Sequence, residues 1–188
     1  GREQPITFDV DQQANIAKIS YQNGMFSLPV ESADEYPVTQ TISDSAIEIV
    51  IESAVLAENI NRSLFATAQD ELRPVMNGIY FDLTPECLAI VASDGHKLVR
   101  NKILNIHSEQ PASFILPKKP ASLLKTLLSK DGEDVIIRFD ERNALIDYTD
   151  GEITCRLIEG RYPNYNSVIP QSNPNQLTVD RQGLLAAL

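Results

Sequence analysis

Apolar positions along the chain follow two rhythms. Period-two alternation or short apolar runs, bounded by turn residues, predict strands at 47–51, 79–83, 88–92, 98–106, 113–116, 135–139, 144–148 and 153–157. Asn77-Gly78 precedes the second of these, and its closeness to the third predicts an antiparallel pair. A 3.6-residue rhythm predicts two helices. Ser53 can cap the first, which runs to about Ala68 with Leu56, Ile60 and Leu64 on one face. Pro120 suits the first turn of the second, whose Leu123, Leu124, Leu127 and Leu128 form a stripe and which Asp131-Gly132 ends. Many strands with two separated helices predict an α+β fold, helices packed on one face of an antiparallel sheet.

The pattern also repeats. Ile19-Ser20-Tyr21-Gln22-Asn23-Gly24-Met25-Phe26-Ser27-Leu28 returns 127 residues later as Ile146-Asp147-Tyr148-Thr149-Asp150-Gly151-Glu152-Ile153-Thr154-Cys155. Tyr36-Pro37 returns as Tyr162-Pro163 at 126, and Ile49-Val50-Ile51-Glu52 as Leu177-Thr178-Val179-Asp180 at 128. A Tyr-x-x-Gly core alone is a common hairpin pattern, but three matches in one order at nearly constant offset argue for a repeat. The unit is a domain rather than a solenoid module, whose periods run to roughly 50 residues. The expected layout is the end of one copy over 1–46, a whole copy over 47–171 and the opening of a third over 172–188. The chain thus reads as a piece of a longer protein, with Leu188 inside a new helix.

A chain of 188 residues, 43% hydrophobic and 22% charged, can bury a core without disulfide or metal staples. Its 16 basic and 26 acidic residues leave a net charge of −10, which excludes a uniformly basic nucleic-acid coat but not a local basic surface. No apolar run approaches the roughly 20 residues a membrane span needs, and none follows a basic N-terminus as in a signal peptide. Cys87 and Cys155 stand apart and imply no disulfide framework. A cytoplasmic protein without membrane contact is the expectation.

No phosphate loop, zinc motif or nucleophile elbow is present. Ser93-Asp94-Gly95-His96-Lys97 holds the residue types of a triad. Neighbours in one tight turn cannot aim their side chains at one another as nucleophile, base and orienter must, so the stretch reads as a turn between strands. No catalytic residue, metal or cofactor is expected. Two features remain. Pro117–Lys130 carries Lys118, Lys119, Lys125 and Lys130 with no acid, so +4 sits in one helix-sized segment and −14 elsewhere. That is either a solvated helix face or a surface for a polyanion held through its phosphates. Met76, the turn from Ser93 to Leu98, and Tyr162-Pro163 with Val168 form an apolar set around turns. It either stiffens connections or makes a lip on which a short peptide docks.

Three blocks carry a resemblance: Arg73-Pro74-Val75-Met76-Asn77-Gly78-Ile79-Tyr80-Phe81, Val91-Ala92-Ser93-Asp94-Gly95-His96-Lys97-Leu98, and Glu159-Gly160-Arg161-Tyr162-Pro163-Asn164-Tyr165 with Ile169-Pro170. In order and spacing they resemble the middle domain of the bacterial sliding clamp family, the β subunit of DNA polymerase III, and the likeness extends over essentially the whole chain. The resemblance implies the DNA-clamp fold, with repeated domains, antiparallel sheets outside and two helices per domain facing a DNA hole. It implies a head-to-tail homodimeric ring around duplex DNA that makes the polymerase processive, an accessory role in which nucleotidyl transfer belongs to a partner.

Carried over by residue, a pocket for the short peptides of the polymerase catalytic subunit, the clamp loader, other polymerases and repair proteins is walled by Met76, Ser93, Gly95, His96, Lys97, Leu98, Pro163, Ser167 and Val168. Ser167 stands where other members often place arginine. Lys118, Lys119, Lys125 and Lys130 are the DNA-facing set. The family completes the pocket and closes the ring with parts that are incomplete here, so no native ring is expected of this chain. The competing reading is a peptide-binding scaffold without useful DNA contact.

Overall fold

In the first of the chain's two units, Gly1–Thr41, three strands form an antiparallel meander: β1 (Thr7–Asp11), β2 (Ile16–Tyr21) and β3 (Gly24–Pro29). The computed structural model describes residues 5–36, 41–128 and 132–188. Asp11 Oδ1 accepts the Gln13 and Ala14 N–H groups at 3.0 Å, and Asn15 takes φ 54°, a left-handed value asparagine tolerates, so the β1–β2 turn closes. Phe8 pairs with Ile19 and Val10 with Ala17, and these in turn with Phe26 and Leu28. Period two therefore places all six on one face.

The second unit, Ile42–Leu188, holds two four-stranded antiparallel sheets. One has the order β11-β10-β9-β4, from β4 (Ile47–Glu52), β9 (Asp134–Phe139), β10 (Asn143–Tyr148) and β11 (Gly151–Arg156); the other has the order β7-β6-β5-β8, from β5 (Gly78–Leu83), β6 (Leu88–Ser93), β7 (Leu98–Ile103) and β8 (Ala112–Pro117). The single sheet expected from the pattern is thus two. The pattern locates strands but not partners, and β4 reaches across the whole unit to β9 while β8 returns to β5.

Helices α1 (Ser53–Leu64) and α2 (Lys118–Leu127) pack on each other. Leu56 and Ile60 of α1 and Leu124 of α2 meet Ile137 and Ile146 of one sheet and Phe81 and Ile90 of the other in one core. Every residue of β6 is buried, because its two faces are covered by different things. Leu88 and Ile90 face the helices, while Ala89 and Val91 join Ile115, Tyr162 and Tyr165 in a second cluster on the sheet's other side.

Helix boundaries differ from the sequence expectation for identifiable reasons. Ser53 is the first helical residue rather than the cap, and its N–H donates to Glu133 O at 2.7 Å. The helix stops at Leu64, not Ala68. Ala66 N–H turns back to Ser63 O, Thr67 donates through Oγ1 and N–H to Leu64 O, and Ala68 N–H leaves for Met76 O at 2.8 Å. Helix α2 ends at Leu127 and buries Pro120, Ala121 and Leu124, with Leu128 just beyond its end. Leu123 and Leu127 are each 46% exposed, so the stripe is narrower than expected: they lie about 100° around the helix from Leu124 and Leu128. β7 stops at Ile103, before the expected Ile106. Residues 177–180 form no strand although they repeat β4, and a lone strand without a partner is unstable in water. The short helix α3 (Arg181–Ala187) follows, capped by Asp180, whose Oδ1 accepts from Gly183 N–H at 2.7 Å.

Candidate functional site

The turn between β6 and β7 is built from its own polar groups. Ser93 Oγ donates to Lys97 O at 2.8 Å and accepts from Gly95 N–H at 3.1 Å. Asp94 Oδ1 accepts from the N–H groups of His96 and Lys97, both at 2.9 Å, and Oδ2 from the Lys97 ammonium. The Lys97 ammonium and these two amides hold the Asp94 carboxyl well below the usual carboxylate range. Gly95 has φ +93°, and a Cβ there would come within 3.0 Å of Arg73 Nη1. Ser93 and Asp94 are thus committed to the turn and not to a base, which leaves a rigid projection with His96 and Lys97 exposed.

Behind the turn lies an aromatic stack. Tyr80 of β5 stacks on Tyr162 at 4.6 Å with an interplanar angle of 1°, and Tyr165 meets Tyr80 edge-on at 6.2 Å. Tyr165 opens the 3-10 turn Tyr165–Val168, and its hydroxyl donates to Asp82 Oδ2 at 2.7 Å. Gly160, at φ +125°, lets this segment approach: a Cβ would lie 2.7 Å from Val75 Cγ1. Arg100 Nη1 donates to Asn166 Oδ1 at 3.1 Å and ties β7 to the 3-10 turn. Leu98 packs half-buried against the same cluster.

Of the pocket residues read from the sequence, Ser93, Gly95, His96, Lys97 and Leu98 share one turn, and Pro163, Ser167 and Val168 share one exposed lip. Met76 and Tyr162, expected on the surface, are 6% and 7% exposed. Met76 lies in the 3-10 turn Pro74–Asn77 with its carbonyl taken by Ala68, and Tyr162 is stacked on Tyr80. Both back the surface rather than form it. The sequence pattern assigns no role to Asp70, and Arg73 enters it only as the first residue of a block that carries the resemblance. Arg73 Nε donates to Asp70 Oδ2 at 2.7 Å, and Asp70 exchanges two 2.9 Å bonds with Asn77. An acid three residues before a base was the only signal. Arg73, Asp94, His96, Lys118 and the exposed Phe65 border a cleft of about 480 Å³ beside the turn.

On α2, Lys119 and Lys125 are exposed and Lys118 half-buried, while Lys130 lies outside the described residues. Cys87 and Cys155 are free thiols, and burial pushes the Cys155 thiol up to about 11, away from reactivity. Among the described residues no three His, Cys, Asp or Glu side chains converge as metal ligands, and no helix is long and apolar enough to cross a membrane.

Residues 50–164, well over half the chain, match the family model of the DNA polymerase III beta subunit, central domain. The chain belongs to that family. The beta sliding clamp of Synechococcus elongatus is 29% identical over 191 residues, covering 98% of this chain and 50% of that relative. The beta sliding clamp of Borreliella burgdorferi is 31% identical over 150 residues, 79% and 38% of the two chains. A crystal structure of a sliding clamp, DNA polymerase III subunit beta, from Pseudomonas aeruginosa bound to griselimycin matches with a TM-score of 0.87 at 25% identity, over 98% of this chain and 50% of that one. This chain spans about half the length of these relatives. The α+β clamp fold expected from the resemblance is the fold of this member of the family.

Proposed function

We propose that the chain serves as the central part of a replication sliding clamp, a non-catalytic module of the cytoplasm that runs along duplex DNA on one side and docks replication proteins on the other. The observation that carries this reading is two-sidedness. Within β5, Ile79 and Phe81 point to the core shared with α1 and α2, and Tyr80 points to the tyrosine stack behind the 93–98 turn. One sheet therefore lies between Lys119 and Lys125 of α2 and the peptide lip, while Lys118 borders the cleft beside the 93–98 turn. Lys118, Lys119 and Lys125 meet phosphates loosely and without reading bases, as sliding requires, while the acidic remainder of the chain repels DNA. In the full-length protein this arrangement belongs to a closed homodimeric ring. The lip takes apolar peptide segments of the polymerase, the clamp loader and repair proteins, with Leu98 and Val168 as the apolar contacts and Ser167 supplying a hydroxyl in place of a charge.

Anisotropy of a labelled duplex, titrated with the chain at several salt concentrations, tests the DNA half. Weak association is expected, falling steeply with salt and abolished by Lys118→Glu, Lys119→Glu and Lys125→Glu together, with Pro163→Ala without effect. Association that ignores both salt and the three lysines would favour the scaffold reading.

A further inference from the structure

Three tyrosine rings make the stack behind the 93–98 turn, and two of their hydroxyls are provided for. Tyr165 donates to Asp82 Oδ2 at 2.7 Å, and Tyr80 has the Ser113 hydroxyl beside it. Tyr162 is different. The residue is 7% exposed, and its hydroxyl is buried with no hydrogen-bond partner, alone in this among the buried side-chain oxygens and nitrogens of the described residues. A phenylalanine would make the same 4.6 Å stack on Tyr80 without burying an unpaired hydroxyl. The group therefore adds a cost to the free chain and no contact that a bare ring would lack.

That hydroxyl sits where the two halves of the proposed docking surface meet. Tyr162 immediately precedes Pro163, the first residue of the lip. Its oxygen reaches the foot of the 93–98 turn, where the Ser93 main-chain N–H opposes the rise that burial imposes on the phenol. An amide N–H only donates, so the phenolic proton is left without an acceptor. Leu98 packs on the same cluster from β7, and Arg100 Nη1 donates to Asn166 Oδ1 at 3.1 Å across the seam between β7 and the 3-10 turn. The Tyr162 ring lies parallel to Tyr80 within 1°, which fixes the oxygen at this seam.

We propose that Tyr162 is a specificity-determining residue of this surface, its hydroxyl donating to a main-chain carbonyl of a docked, extended peptide. An apolar side chain seated between Leu98 and Val168 wedges the lip from the turn and opens the seam above the hydroxyl. The carbonyl beside that side chain then supplies the acceptor the fold withholds. A peptide fits because the missing group is an acceptor, which every peptide unit carries, and because Leu98, Pro163 and Val168 around it are apolar. The hydroxyl passes from unpaired in the free chain to paired in the complex, so its stabilisation appears only on binding. An apolar ligand of the same shape without a carbonyl leaves it unpaired and is held less tightly. The inference rests on the docking reading of this surface given above, and every residue it uses lies in the second unit.

Calorimetric titration of the chain and of Tyr162→Phe with a peptide of the Gln-Leu-x-Leu-Phe kind tests it, beside thermal unfolding of both proteins without peptide. Opposite effects are expected. The variant should melt about 2–4 °C higher, because a buried unpaired hydroxyl is gone, and should bind the peptide roughly tenfold more weakly. A residue with a merely structural role would move both readings in one direction. Tyrosine labelled at Cζ reads the bond itself by NMR: peptide should shift the Tyr162 resonance, identified by its loss in Tyr162→Phe, and leave that of Tyr165 in place. Equal affinity of the two proteins for peptide bound at Ser93–Leu98 would overturn this inference and leave the docking reading standing. A variant that melts lower would show the hydroxyl already paired in the free chain, and would also overturn it. No peptide binding by the unaltered chain would overturn both readings together.

Discussion

Tyr165 donates its phenolic proton to Asp82, 83 residues earlier in the chain, across 2.7 Å. This bond pins the 3-10 turn that carries Ser167 and Val168 to the outer face of β5. Tyr165→Phe keeps the ring against Tyr80 and deletes the bond to a carboxylate, so a loss of about 2 kcal/mol in denaturant unfolding is expected with an unchanged m-value. Amide exchange in the lip should quicken more than in β10. Unchanged stability would mean the bond adds nothing beyond packing.

The same cluster sets a response to alkali. Burial, above all, raises the phenols of Tyr80, Tyr162 and Tyr165, Tyr162 up to about 12. A phenol raised above its unfolded value of about 10 contributes its full stabilisation below that pH, and loses it as the pH climbs through the folded value. Ultraviolet titration should therefore show a late tyrosine phase that coincides with loss of the near-ultraviolet dichroism of the stack. Ionisation of all six tyrosines in one phase near pH 10, with the fold intact, would contradict it.

Gly95→Ala tests whether the turn is the rigid part of the proposed docking surface. Alanine at φ +93° is strained, and its Cβ meets Arg73, so a cost of about 1–3 kcal/mol is expected, with chemical-shift changes confined to residues 93–98 and Arg73. An alanine accommodated without loss of stability would show that the turn relaxes freely.

The burial of α2 gives a paired test. Leu124→Ala should cost about 2–5 kcal/mol, whereas Leu123→Ala, one residue away and half exposed, should change stability by about 0.5 kcal/mol or less. Equal effects would restore the wider stripe.

That stripe shows where sequence pattern stops being informative. Element positions were legible because alternation and turn residues are local, and β4, β5, β6 and β9 start within a residue or so of the expectation. Sheet membership was not, since nothing near Ile47 in sequence says that it pairs with Phe139. Four leucines at adjacent helical positions could not reveal which two face the core, because the choice is made by where α1, β8 and β5 lie. At the site, the 93–98 turn could be read from its own residues, whose bonds are all within four positions. The burial of Tyr162 and Met76 could not: Tyr162 stacks on Tyr80, 82 residues earlier, and the Met76 backbone is tied to Ala68 beyond the end of α1.

The proposed docking surface is tested most directly by a two-dimensional NMR titration of the chain with a short peptide of the Gln-Leu-x-Leu-Phe kind. Saturable shifts confined to Ser93–Leu98 and Pro163–Val168, little changed by added salt, are expected, and Leu98→Asp should abolish them. Shifts centred elsewhere on the folded chain, or none at these residues with millimolar peptide, would contradict the assignment of that surface to protein docking.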